Sequence, residues 1–150
     1  MSNEKNFEIS KNDLLKGSDF DNDLNLIKPD CKSKTVILFY SPQCGHCVRF
    51  KPEYVDFMND VNNGKYGSDM SAKAINTAEA RDFMQKMFSK PDEREYLIEG
   101  VPAVVSYENG KYFSTYGPGE GEEEIKKYRS KRDLVDYIKG VGSAPITYKE

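Results

Sequence analysis

Phe39-Tyr40-Ser41-Pro42-Gln43-Cys44-Gly45-His46-Cys47 decides how this chain is read, because two cysteines with two residues between them stand where an apolar run gives way to a helical pattern. Upstream, Thr35-Val36-Ile37-Leu38-Phe39-Tyr40 is β-branched and aromatic almost throughout, the pattern of a strand buried on both faces. Downstream, Phe50, Tyr54, Phe57, Met58 and Val61 recur at helical spacing and leave Arg49, Glu53, Asp56 and Asp60 on the other face. Cys44 therefore falls where a helix begins. The unpaired backbone N–H groups and the positive dipole end found there favour an anion, and a Cys44 thiolate is the anion at hand. The same turn buries Cys47, which suits a second, resolving thiol. The residues alone thus point to thiol–disulfide exchange.

Working outward, 150 residues with 37% hydrophobic and 12% aromatic content suffice for one core. A net charge of −3 with 31% charged residues describes a solvated surface without the basic stripe of a nucleic-acid binder. Three cysteines, two of them in one motif, argue for a reactive pair over a disulfide framework. Met1–Asn6 lacks the apolar centre of a signal peptide, and no apolar run reaches the roughly 20 residues of a membrane span. The expectation is a monomer in the cytoplasm or another soluble intracellular compartment, an oxidising one remaining open, with no membrane and no nucleic acid as partner.

Residues 1–34 offer few apolar side chains, and the pattern predicts a short strand near Phe7–Ile9 and a short helix near Asp21–Ile27. After the strand Thr35–Tyr40, a helix is expected from Cys44 to about Asn62, with Pro52 interrupting its hydrogen-bond ladder because proline has no N–H. Ala72-Lys73-Ala74-Ile75-Asn76 reads as a parallel strand, and Ala78–Phe88 as a helix burying Phe83, Met84, Met87 and Phe88. Gly100-Val101-Pro102 opens a strand over Ala103–Tyr107. Asn109-Gly110 is a two-residue hairpin signal; the antiparallel partner is Lys111–Tyr116 or extends to Ile125–Arg129. A last helix carries Leu134, Tyr137, Ile138 and Val141, with Ser130 and Asp133 resembling a capping box. Strand, crossover helix, strand, hairpin and helix make a small mixed-sheet α/β sandwich.

These elements resemble the thioredoxin fold, and Phe39–Cys47 is similar at seven of nine positions to the Phe-Tyr-Ala-Pro-Trp-Cys-Gly-His-Cys segment of protein disulfide isomerase catalytic domains. Pro52-Glu53-Tyr54 extends the match, Gly100-Val101-Pro102 resembles the family's cis-proline loop, and Ala72-Lys73 resembles the strand bearing its lysine near the buried thiol. The resemblance implies an α/β thioredoxin-like fold with a central mixed β-sheet flanked by helices on both faces. It divides the chain into residues 1–32, an N-terminal extension with the first strand and helix of the fold; 33–142, the thioredoxin-like domain with insertions near 88–97 and 117–124; and a tail, 143–150. It implies a thiol–disulfide oxidoreductase that acts on protein thiols and disulfides with a redox partner and without cofactor or metal. Cys44 is then the nucleophile, Cys47 the resolving thiol and His46 a group that stabilises the Cys44 thiolate by charge and hydrogen bonding. Val101 and Pro102, with Gln43 and Gly45, would meet the substrate, and Lys73 would relay a proton.

The chain departs from that pattern at Gln43, where the family has tryptophan, and at Leu38, where it has a buried acid. Two other readings stand beside the isomerase-like one: a reductase favoured by an intracellular setting and a binding module with vestigial redox chemistry. Cys31, Cys44, His46 and Cys47 have the ligand count of a zinc site but poor geometry for one, since consecutive residues of one helix turn point different ways.

Overall fold

Within Lys34–Tyr40, the residues Thr35 to Phe39 are all buried, as a strand apolar on both faces must be once a layer covers each side. The computed structural model describes residues 9–88, 102–116 and 131–139. Its strands are β1 (Leu14–Leu15), β2 (Lys34–Tyr40), β3 (Met70–Asn76), β4 (Ala103–Glu108) and β5 (Lys111–Tyr116), and its helices α1 (Gly45–Asn62), α2 (Arg81–Phe88) and α3 (Lys131–Lys139). Among the described residues the sheet order is β1-β3-β2-β4-β5. β2 runs parallel to β3 and antiparallel to β4, so the sheet is mixed and β2 lies at its centre.

Alternation along β2 and β3 sorts the core into two layers. Val36, Leu38, Ala72 and Ala74 face α1 and α3, against Phe50, Tyr54, Phe57, Leu134 and Tyr137. Ile37, Phe39, Ile75 and Val105 face α2 and the segment before β2, against Phe20, Leu24, Leu26 and Phe83. Tyr54 is fully buried with its hydroxyl 2.7 Å from the Lys73 carbonyl and 3.2 Å from that of Val36. Burial, with the charge of Asp13, pushes that phenol well above its ordinary range, so it stays protonated and able to donate. At the far end of α1, Asn62 bonds both backbone groups of Ala72 through its side-chain amide, at 3.0 and 2.8 Å.

α3 is fastened to α1 by charge. Glu53 accepts the Lys131 backbone N–H at 2.7 Å, taking one of the donors a helix leaves open at its start, and Lys131 Nζ lies 2.8 Å from Asp60 and 3.3 Å from Asp56. The Lys131 ammonium holds the Asp60 carboxyl below its usual value, and Asp60 in turn raises Lys131.

The structure moves several expected elements. Residues 7 and 8 of the expected first strand are outside the described residues, Ile9 is not in a strand, and the strand that pairs with β3 is Leu14–Leu15. No helix forms over 21–27. The Asp21 carboxylate instead accepts the N–H groups of Asp23 and Asn25, both at 2.9 Å, closing a turn that competes with helix. Leu24 there adopts φ 69° and is held by a bond from the Tyr107 hydroxyl to its carbonyl, 2.9 Å. The helix expected from Ala78 begins instead as a 3-10 turn over Thr77–Glu79, capped by Asn76, before α2 starts at Arg81. Phe83 and Met84 are buried as expected. Val101, Ile125–Arg129, Ser130, Val141 and both insertions (88–97 beyond Phe88, and 117–124) fall outside the described residues.

The Asn109-Gly110 hairpin does form, with φ 54° and 84°, and β5 follows directly. Gly110 also accepts Leu26 N–H at 2.8 Å, and a Cβ on it would meet the Leu26 carbonyl oxygen at 2.9 Å. Gly110→Ala should therefore cost at least about 1–2 kcal/mol and lower the melting temperature by several degrees in a thermal scan. The α1–α3 ion pair carries a pH signature. Asp60's folded value lies below its unfolded 3.8, so its contribution is present above that value and is lost as pH falls through the lower folded one. Lys131's folded value lies above 10.5, so its share is lost only in stronger alkali. The melting-temperature gap between wild type and Lys131→Met should hold through neutral pH and close below pH 3.8.

Candidate active site

The turn from Ser41 to Cys47 is arranged by Ser41. Its carbonyl accepts Cys44 N–H at 3.1 Å, and its hydroxyl accepts Gln43 N–H at 3.3 Å. Cys44 then occupies the N-cap of α1 with extended backbone, φ −91° and ψ 119°, and its carbonyl starts the helix by accepting Val48 N–H at 3.0 Å. Its Sγ accepts the backbone N–H of Cys47 at 3.2 Å. A sulfur atom thus performs the capping task that serine or aspartate oxygen usually performs.

Cys47 is buried, 2% exposed, and its Sγ accepts Ser41 N–H at 3.5 Å. Cys44 is half-buried. None of the three cysteines is held in a disulfide bond in this structure. One reachable and one buried thiol, a helix turn apart and linked by a backbone bond, can take up and release a disulfide between them. His46 is the second residue of α1, between the two thiols in sequence.

The surface beside Cys44 is made of Pro42, Gln43, Gly45, Val48 and Arg49, all exposed. Val48, 55% exposed, is an apolar residue outside the core. Tyr40 is half-buried with Lys51 Nζ 5.9 Å from its ring centre, within cation–π reach. Burial and then Glu79 raise the Tyr40 phenol, which keeps it neutral. Ala103 pairs with Phe39, so buried Pro102 lies just beyond β4 at the end of the sheet from which Cys44 follows.

Two expected residues lie elsewhere. Lys73 pairs in register with Ile37 and alternates with Ala72 and Ala74, which puts its side chain on the sheet face opposite α1. There its ammonium bonds the Asn12 carbonyl at 3.2 Å and pairs with Asp13 at 3.3 Å and Asp30 at 3.8 Å. The relay expected of it is corrected on that ground. Cys31 packs against the same layer beside Thr35, where burial raises its thiol more than nearby Lys73 lowers it. The length of β2, on the order of 20 Å, separates it from Cys44, so the four-residue zinc set is not assembled. A cavity of about 350 Å³ lies on that face too, between Gly17–Asn22 and Glu79–Phe83.

A family model described as Thioredoxin matches residues 12–131. This chain belongs to the thioredoxin family. As a thioredoxin-family chain it is 31% identical over 123 residues to a protein disulfide-isomerase of Saccharomyces cerevisiae, covering 80% of its own length and 19% of the yeast protein. It is 27% identical over 133 residues to the thioredoxin-like protein 453L of Invertebrate iridescent virus 6, across 84% of this chain and 91% of that one. The family's fold recurs in human ERp44 form II, with TM-score 0.59 and 18% identity over 88% of this chain and 30% of that one. The Trx4 domain of ERdj5 gives 0.55 and 19% over 85% and 91%. The chain spans about a fifth of the yeast isomerase and nearly the whole viral protein. Thioredoxin-family membership, the mixed five-stranded sheet and isomerase relatives support a thiol–disulfide oxidoreductase family.

Sequence reasoning identified the thiol pair but left Ser41, Tyr40 and Lys51 unassigned. Lys51 stands four residues after Cys47, a spacing that puts both on one side of a helix and that flags it. Access sets an order of reactivity in the folded protein. Iodoacetamide should alkylate Cys44 first, Cys31 more slowly and Cys47 last, as read by peptide mass spectrometry over time; early labelling of Cys47 would contradict its burial.

Proposed function

We propose that this chain exchanges disulfides with protein substrates through Cys44 and Cys47. The observation that supports this most directly is the Cys44 sulfur at the N-cap of α1, accepting the Cys47 N–H at 3.2 Å. Cys44 thiolate attacks one sulfur of a substrate disulfide; an S–S bond forms to Cys44 as the substrate S–S bond breaks, and the leaving thiolate takes a proton. Cys47, once deprotonated, attacks Cys44 Sγ, releasing the second substrate thiol and leaving Cys44–Cys47 oxidised. Two thiols of this chain are oxidised as one substrate disulfide is reduced, and the reverse sequence makes a disulfide in a substrate dithiol. A redox partner resets the pair, and the setting chooses the direction.

His46 supports the Cys44 thiolate through its charge in this scheme. Pro102 takes the part of the family's cis-proline in meeting an extended substrate backbone, the Val101 expected beside it being outside the described residues, and Gln43 and Gly45 flank the reacting sulfur. Lys73 takes no part, being engaged by Asp13 and Asp30. Leu38 is fully buried where the family's buried acid stands, so Cys47 must give its proton to water or to a polar group nearer the surface. That supports a slow resolving step.

The test is the equilibrium between dithiol and disulfide in glutathione buffers on a Cys31→Ser background. A potential between about −270 and −180 mV, a span of roughly 4 kcal/mol, is expected, the upper end marking an oxidase or isomerase and the lower end a reductase. Cys44→Ser should abolish reduction of a peptide disulfide, and Cys47→Ser should accumulate a mixed disulfide at Cys44. A pair that forms no disulfide at any poise would leave only a binding module.

A further inference from the structure

The parallel strands β1, β3 and β2 end at one edge of the sheet, with Leu15 level with Ile75 and Ile75 level with Phe39. The reactive turn leaves the end of β2 there. The chain leaving β1 and the chain leaving β3 form instead the two walls of the cavity of about 350 Å³, Gly17–Asn22 on one side and Glu79–Phe83 on the other. Thr77, just before the second wall, ties it to the reactive strand, its hydroxyl donating to the Tyr40 carbonyl at 3.1 Å. The cavity thus lies at the same rim as Cys44, outside the carboxyl ends of the strands, where open α/β sheets hold their ligands. Its volume falls at the small end of ligand sites, which start at about 300 Å³.

Its lining narrows what it can take. Buried Phe20 and Phe83 stack with ring centres 4.3 Å apart, and Gly17 packs so closely that a Cβ on it would stand 3.2 Å from the Phe83 Cβ. With these aromatic rings the lining carries three carboxylates, Asp21, Glu79 and Asp82, and one cation, Arg81. Lys111, which acts on Asp21, and Lys16, which precedes Gly17, are outside the lining. Among the described residues no ion pair joins Arg81 to the three carboxylates. Helix stability accounts for Asp82, which meets the positive dipole end from the first turn of α2. It does not account for Asp21, on the opposite wall, which the N–H groups of Asn25 and Asp23 keep ionised. The described residues hold no cluster of three or more metal-ligating side chains, so a metal ion is a poor fit. A broad, weakly hydrated cation that stacks on aromatic rings and offers a fork of N–H donors to carboxylates suits the lining, and that is the guanidinium of arginine.

We propose that this cavity is a binding site for an arginine side chain of the protein that Cys44 attacks. β3 separates β1 from β2, so the cavity stands one to two strand spacings to the side of the reactive turn and in the opposite layer. That is on the order of 10–20 Å, which about three to six extended residues span. That the arginine belongs to a substrate rests on the exchange reaction proposed above; the preference of the cavity for a guanidinium does not.

The first measurement is a titration of the isotope-labelled full chain, followed by its backbone amide shifts, with short Gly/Ser peptides whose central residue is arginine, lysine or citrulline, the neutral isostere. The arginine peptide should shift the amides of Gly17–Asn22 and Glu79–Phe83, lysine should bind at least about threefold more weakly, and citrulline should leave them in place. Exposed Glu79 can be changed without disturbing the core. Glu79→Gln should weaken arginine binding about two- to fivefold and Glu79→Lys should abolish it, at an unchanged melting temperature, while Arg81→Gln should strengthen it. In exchange assays, disulfide peptides with arginine about three to six residues from the cysteine should include one that reacts about two- to fivefold faster than its citrulline counterpart. Glu79→Lys should erase that advantage and leave the Cys44–Cys47 potential unchanged. Citrulline shifts as large as those of arginine, no shift at either wall, a glutamate peptide that binds there and is lost in Arg81→Gln, or equal exchange rates at every spacing would overturn the proposal. Attack on no peptide, with the arginine shifts present, would instead remove the exchange reaction and leave the arginine site standing.

Discussion

β2 is apolar on both faces and therefore must be covered on both, and the rest of the architecture answers that constraint. A single helical layer would leave either Val36 and Leu38 or Ile37 and Phe39 in water, at about 1.5–3 kcal/mol for each large side chain. α1 and α3 close one side, and α2 with the segment around Phe20 closes the other, where Phe20 stacks on Phe83 at 4.3 Å. Because β2 is central and its two faces are filled, the chain leaving its end can only emerge at the sheet's edge. Cys44 is four residues past that end, which fixes its sulfur at the rim with packed material below it.

Legibility followed the strength of the local signal. β2, α1 and the Asn109-Gly110 hairpin were readable because apolar pattern, helical spacing and turn chemistry agreed with the tertiary arrangement in each. The placement of Cys44 and Cys47 was readable for a related reason, since a thiol at a strand-to-helix junction meets the same backbone donors wherever it occurs. The segment before β2 was not. Leu24, Leu26 and Ile27 suggested a helical face, but Asp21 satisfied two backbone donors locally and Tyr107 fixed the Leu24 carbonyl from more than eighty residues away, contacts that no window of sequence contains.

Lys73 shows the same limit at the site. Its strand and position matched the family's lysine, but its side chain faces the layer away from α1, and its partners Asp13 and Asp30 come from parts of the chain with no pattern of their own. A buried cation needs compensation, and two carboxylates with a carbonyl provide it. On the α1 face, Leu38 removes the matching acid. The Lys73–Asp13 pair instead secures the N-terminal segment to β3.

β1 covers only Ala74 and Ile75 of β3, so among the described residues the outer side of β3 has no strand partner along Met70–Lys73. Such an edge is an invitation to another chain, because it presents backbone donors and acceptors in register. Asn62 answers it from the end of α1. Its amide occupies both groups of Ala72, imitating one residue of a neighbouring strand and going no further. The same side chain that anchors the helix therefore also takes up the backbone position of Ala72 with which a further strand would pair.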